Sequence, residues 1–123
     1  MSNYFNYQWI GIVGTRRRDS EEDFAALVET FDAVYNAGDG IASGGCPRGG
    51  DKFAERIARE RGVPIMIHYP EWDKHGRGAG IVRNTLIAKW CSILIAVVAP
   101  DRTGGTEDTI RKCEALGKEV ILV

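Results

Sequence analysis

At 123 residues the chain is long enough for one domain with its own core, without a metal or disulfide to hold it. Its formal net charge of −1, from 16 Lys and Arg against 17 Asp and Glu, removes any global electrostatic case for DNA, RNA or an anionic membrane. No apolar run approaches the roughly 20 residues of a membrane span, the first residues lack a signal pattern, and Cys46, Cys91 and Cys113 show no C-x-x-C spacing, so the expectation is a cytoplasmic protein with reduced thiols.

The opening "MSNYFNYQ" is aromatic-rich and reads as an extension, residues 1–8, to a domain spanning 9–123. "WIGIV" (9–13), closed by Gly14, is a β-branched run that predicts a buried strand. In "SEEDFAALVETFDAVYNAG" Ser20 and Asp23 have capping-box spacing. Phe24, Leu27, Val28, Phe31, Val34 and Tyr35 recur at helical intervals there, and Gly38 marks a stop. "GIAS" (40–43) predicts a second strand, which runs into the glycine-rich "SGGCPRGGD" (43–51). "DKFAERIARERG" (51–62) predicts a helix with Phe53, Ile57 and Ala58 on its apolar stripe, and "VPIMIHY" (63–69) a third strand. "PEWDKHGRG" (70–78) has no periodicity and predicts an irregular connection. "AGIVRNTLIAKWC" (79–91) reads as a helix and "SILIAVVA" (92–99) as the most apolar strand. After the loop "PDRTGG" (100–105), "TEDTIRKCEALG" (106–117) is a helix with acids in its first turn, and "KEVILV" a fifth strand.

Strand–helix alternation with continuous apolar strands predicts an α/β, Rossmann-like three-layer domain, five parallel strands with helices on both faces. Ligands of such sheets bind beyond the carboxyl ends of the strands, where strand order reverses. The loops falling there are "GTRRRD", "GGCPRGGD", "PEWDKHGRG" and "PDRTGGT".

Glycines before a helix expose backbone N–H groups, and the helix N-terminus adds partial positive charge, so two of these loops suit phosphate. One is "GGCPRGG", with Arg48 and Lys52 able to add charge-assisted contacts. The other is "RTGGT", where Thr106 either caps the helix or offers its hydroxyl to a phosphate oxygen. Glu107 and Asp108 repel phosphate and suit sugar hydroxyls, which gives a division of phosphate on backbone and ribose on carboxylate. A glycine-rich turn is also compatible with mere tightness; two on one sheet edge tip the balance toward a site. Neither matches the P-loop pattern, and "GIVGTR" lacks G-x-G-x-x-G, which removes P-loop NTPases and argues against hydride transfer. Arg83 and Asn84, early in the third long helix, point to the same crevice or are simply an exposed arginine and a near-cap residue. Arg16 is the best placed of three arginines that otherwise read as a solvated loop. Trp72 either stacks on a base or covers the sheet edge, and Cys46 reads as small filler.

The ordered set "GTR" (14–16), "SGGCPRGGD" (43–51), "GRGAGIVRN" (76–84) and "GGTED" (104–108) resembles the SLOG superfamily, in particular its YspA/YpsA-related branch. That Rossmann-like group includes the Lonely Guy phosphoribohydrolases and the DNA-processing protein DprA. The resemblance implies a nucleotide-derived ligand between the two glycine loops. Lonely Guy enzymes carry M-x-x-R-K and P-G-G-x-G-T-x-x-E. Arg83 stands at the position similar to their catalytic arginine, Asn84 replaces the lysine, and Thr109 falls where the glutamate stands in that pattern.

The expected function is therefore binding, to sense or sequester, of an AMP-, ADP-ribose- or cyclic-nucleotide-type molecule. The expected ligand-binding residues are Gly14, Thr15, Arg16, Gly44, Gly45, Arg48, Gly49, Gly50, Asp51, Arg83, Asn84, Gly104, Gly105, Thr106 and Asp108. Two alternatives stand beside it. One is a phosphoribohydrolase using Arg83 with Asp108 or Glu107, and the other is DprA-like binding of single-stranded DNA, which lacks an extended basic stripe here. No cofactor and no metal is expected, and Trp90 with the aromatic N-terminus suggests a homo-oligomer.

Overall fold

The computed structural model describes residues 7–123. Five strands, β1 (Trp9–Gly14), β2 (Gly40–Ser43), β3 (Ile65–Ile67), β4 (Ile93–Val97) and β5 (Glu119–Leu122), form one parallel sheet in the order β3-β2-β1-β4-β5. The helices are α1 (Glu21–Val34), α2 (Gly50–Arg61), a single turn α3 (Trp72–His75), α4 (Ala79–Trp90) and α5 (Gly105–Ala115). The fold class expected from the alternation is the one observed.

Strand periodicity explains the layering. Ile10 and Ile12 of β1, with Ile93, Ile95 and Val97 of β4, face α1 and α2, where Phe24, Leu27, Phe31, Phe53 and Ile57 cover them. The intervening Val13, Leu94 and Ala96 face α4 and α5 through Ile87, Ala88, Cys91, Ile110 and Cys113. Each fully buried large side chain in these layers stabilises the fold by roughly 1.5–3 kcal/mol. Gly11 leaves room for α4, because a Cβ there would lie 3.0 Å from the Cys91 Cβ.

Helix ends follow local chemistry. Ser20 and Asp23 form the reciprocal capping box at the start of α1. That helix stops at Val34, four residues before Gly38, because Tyr35 turns to an extended conformation with its N–H still bound to the Phe31 carbonyl. The segment 70–78 is more regular than its sequence suggests: α3 is followed by a 3-10 turn, Gly76–Gly78, leading straight into α4. Pro70, Gly76 and Gly78 mask that short-range order from any periodicity test.

α4 and α5 are joined along their length. Asn84 Nδ2 donates to Asp108 Oδ2 at 3.1 Å, and Lys112 Nζ bonds both Asp108 Oδ2 (2.9 Å) and the Ile81 carbonyl (3.0 Å). At the far end the Cys91 and Cys113 sulfurs touch at 3.8 Å, fully buried. Their shared hydrogen bond and burial push the Cys113 thiol far up, and both cysteines are free.

Candidate functional site

Strand order reverses between β1 and β4, and the loops leaving their carboxyl ends diverge to open a cavity of about 300 Å³. Four segments wall it. The turn after β1 contributes Gly14, Thr15, Arg16 and Arg17; the loop after β2 and the start of α2 contribute Cys46 and Asp51. From α4 come Arg83, Asn84 and Ile87, and from the loop after β4 and the start of α5 come Thr103, Gly104, Gly105, Thr106 and Thr109.

The wall made by α5 is open. Gly104 precedes the helix with φ +107°, a conformation that favours glycine, and no side chain caps the first turn. Nothing lies within 4 Å of where a Cβ on Gly104 or Gly105 would stand. The first-turn N–H groups and the positive end of the helix dipole are thus presented without a protein partner from a capping side chain. Thr106 lines the cavity one residue in and does not cap the helix.

The wall made by "SGGCPRGGD" is closed by the protein itself. A Cβ on Gly14 would lie 2.9 Å from the Gly50 Cα, and one on Gly50 would overlap the Gly14 backbone. The start of α2 therefore abuts the end of β1 backbone to backbone. Gly49, at φ +71°, sits against the Thr15 carbonyl and donates its N–H to Asp19 Oδ1 at 2.9 Å. Gly45 is packed by Tyr69, and Gly44 by Arg83 and Asp51. None of these four glycines lines the cavity, nor does Arg48, which is exposed. The structure brings Gly14, Thr15, Arg16, Asp51, Arg83, Asn84, Gly104, Gly105 and Thr106 together, and leaves Gly44, Gly45, Arg48, Gly49 and Gly50 outside as the scaffold behind them.

Charge in the cavity is mostly positive. Arg17 is committed to Asp101 by two bonds of 2.8 and 3.1 Å and also donates to Thr103 Oγ1, tying the β1 and β4 loops across the rim. That arginine holds the Asp101 carboxyl far below the usual carboxylate range. Arg16 lines the cavity with no ion-pair partner among the described residues. Arg83 Nη1 donates to the Gly44 carbonyl at 2.7 Å and its Nε to Asn84 Oδ1 at 2.9 Å.

The other two candidate acids face elsewhere. Glu107 accepts two bonds from Arg102, at 2.8 and 2.9 Å. Asp108 sits in the α4–α5 joint. Burial works to raise its pKa, but Lys112 and Asn84 hold it below the ordinary carboxylate range. Neither Glu107 nor Asp108 lines the cavity, whereas buried Thr109, one turn inside α5, does. The ribose-hydroxyl role expected for Asp108 thus finds it already engaged. Cys46, read as filler, lines the wall; Arg17, Thr103 and Thr109 were not singled out as ligand contacts. Threonines beside glycine carry little pattern of their own, and only the strand order brings them to one rim.

A parallel α/β sheet with a polar, arginine-lined cavity at its switch point defines a Rossmann-like α/β domain with a candidate site at that point. Residues 14–75 match YAcAr, the YspA, cpYpsA-related SLOG family, and the chain belongs to that family. Membership points to a nucleotide-related function. No curated protein and no solved structure matches the chain. The matched span covers the two loops after β1 and β2, while Arg83 and the open α5 terminus lie beyond it.

Proposed function

We propose that the protein binds a nucleotide-derived small molecule, of AMP, ADP-ribose or cyclic-nucleotide type, in the β1/β4 cavity and leaves it intact. The observation that carries this reading is the uncapped, unobstructed start of α5 facing a cavity lined by Arg16 and Arg83. A phosphate takes the Gly105 and Thr106 amides, with Arg16 as its mobile cation and Arg83 as its fixed one. Thr15, Thr103 and Thr109 supply hydroxyls for the sugar. A cavity of about 300 Å³ stands at the small end of ligand pockets, so one nucleotide unit is enclosed and any second unit projects from the mouth.

Cleavage of an N-glycosidic bond asks for a carboxylate near the sugar to stabilise positive charge or position water. Glu107 and Asp108 are turned away and paired, and Thr109 holds the position similar to the Lonely Guy glutamate. These placements favour binding over hydrolysis. DprA-like binding of single-stranded DNA is not favoured by a cavity this small on a chain of net charge −1.

The functional unit in this reading is the domain 9–123, working in the cytoplasm with its three cysteines reduced. Among the described residues no helix is long and apolar enough to cross a membrane. Leu86 and Trp90, one turn apart on α4, leave an exposed apolar patch for a second copy, giving a homodimer that light scattering would detect. Residues 1–6, whose aromatic content suggested a share in such a surface, lie outside the described residues.

Equilibrium dialysis against a panel of AMP, N6-substituted AMP, ADP-ribose, NAD and cyclic nucleotides, read by mass spectrometry in both chambers, tests the proposal. One compound retained intact at one per site is the expected result. Free base appearing with ribose phosphate would replace binding by hydrolysis, and no retention would remove the reading.

A further inference from the structure

Asp51 is the one carboxylate among the residues lining the cavity, and it is 6% exposed. Its surroundings fix where a proton must be. Ser43 Oγ lies 2.7 Å from the Ile12 carbonyl oxygen and 3.2 Å from Asp51 Oδ1. A serine hydroxyl carries one proton, and a carbonyl oxygen carries none. The shorter contact, to Ile12, therefore takes the serine proton, and the contact to Asp51 joins two oxygens that need another. Asp51 Oδ2 accepts from the Cys46 N–H at 3.1 Å, which leaves Oδ1 as the oxygen that can carry the acid proton. Arg83 Nη1 donates to the Gly44 carbonyl at 2.7 Å and stands 4.0 Å from Oδ2, at ion-pair distance but beyond hydrogen-bond reach.

We propose that Asp51 is held as a neutral carboxylic acid, its Oδ1–H donated to Ser43 Oγ, and that this neutrality makes it the residue that sets the cavity's selectivity for anions. With Asp51 neutral, Arg16 and Arg83 face the cavity with no ionised carboxylate lining it. Once Asp51 ionises, a fixed negative charge faces any phosphate or sulfate there. The assignment of the proton stands on the geometry alone, while its effect on ligands rests on the anion-binding reading above. Burial acts in the same sense, pushing the Asp51 carboxyl up against the Cys46 amide and Arg83. The charged and titratable groups around it are Arg83 from α4, Arg16 and Arg17 from the β1 loop, Cys46 from the β2 loop, and Glu55 one turn along α2.

The test follows the 13Cγ resonance of Asp51 in labelled full-length protein through a pH titration, assigned by its loss in Asp51→Asn. The resonance is expected to stay at the position of the acid at pH values where exposed aspartates, near 3.9, have ionised. Titration together with those aspartates overturns the assignment. Ser43→Ala gives a second, signed readout. Removing an acceptor of the acid proton lowers the Asp51 pKa, whereas removing a donor to a carboxylate raises it, and a rise overturns the proposal. Sulfate, whose charge is constant over this range, is the binding probe. Its affinity should weaken roughly tenfold as wild-type Asp51 ionises and stay level in Asp51→Asn. An equal fall in both proteins removes the selectivity role. Absence of sulfate binding beside a late-titrating Asp51 keeps the proton and discards the anion site.

Discussion

Two glycine loops border this cavity, and in the sequence they look interchangeable. "SGGCPRGGD" and "RTGGT" each join a strand to a helix on the same sheet edge. In the first the space above the glycines is filled by the protein: Gly50 against Gly14, Gly49 against Thr15, Gly45 against Tyr69. In the second nothing approaches Gly104 or Gly105. Glycine in one loop lets two pieces of backbone touch, and in the other leaves backbone bare. The same residue serves packing and reception, and only the three-dimensional neighbours separate the two.

The largest effect should come from forcing a side chain into the closed loop. Gly50→Ala drives a Cβ into the Gly14 backbone, where neither partner is a flexible side chain, and should cost about 3 kcal/mol, the upper part of the overpacking range. Urea melts would register it as a fall in midpoint, and an unchanged midpoint would contradict the backbone contact. Gly105→Ala is the counterpart. It meets open space at an α-helical position, so stability should rise by up to about 1 kcal/mol while ligand retention falls. Equal losses of stability in both variants would erase the distinction between the loops.

A smaller effect concerns the joint behind the open loop. Asp108→Asn weakens its bonds to Lys112 and should cost roughly 1 kcal/mol near neutral pH. Because the folded-state pKa of Asp108 is depressed, this contribution is present above its ordinary value of 3.8 and fades as pH falls through the lower folded value. Asp51 has the opposite sign. Its raised pKa means that folded protein holds a proton that unfolded protein has released, so wild-type stability declines as pH rises from 3.8 to the folded-state value. Thermal melts of Asp51→Asn should lack that decline. Smallest of all is Arg17→Ala: the exposed pair with Asp101 should leave the melting temperature where it is and loosen only the cavity rim.

The architecture was legible because continuous apolar runs in the strands and periodic apolar faces on α1 and α2 are written in adjacent residues. Gly14, Arg16, Arg83, Gly104 and Thr106 were legible as loop-edge residues for the same reason: each sits a fixed step past a strand or into a helix. What the sequence could not supply is which neighbour occupies a loop. Nothing in "PRGGD" announces that Gly14, more than thirty residues earlier, will seal it. Likewise "TED" does not say that Arg102 and Lys112 claim the two acids while the threonine after them faces inward. The ion pairs choose between rotations of a helix, and those partners come from different elements.

The bonds linking α4 to α5 carry a kinetic consequence. Arg83 rides on one helix and the open N-terminus on the other, and Asn84, Asp108, Lys112 and the Cys91–Cys113 contact bind the two into a single slab. Neither wall can swing in without dragging the other across the sheet. If the proposed nucleotide binds here, it should therefore meet a largely preformed cavity, with association limited mainly by encounter and orientation. Under that proposal, differences in affinity among related nucleotides should appear as differences in residence time.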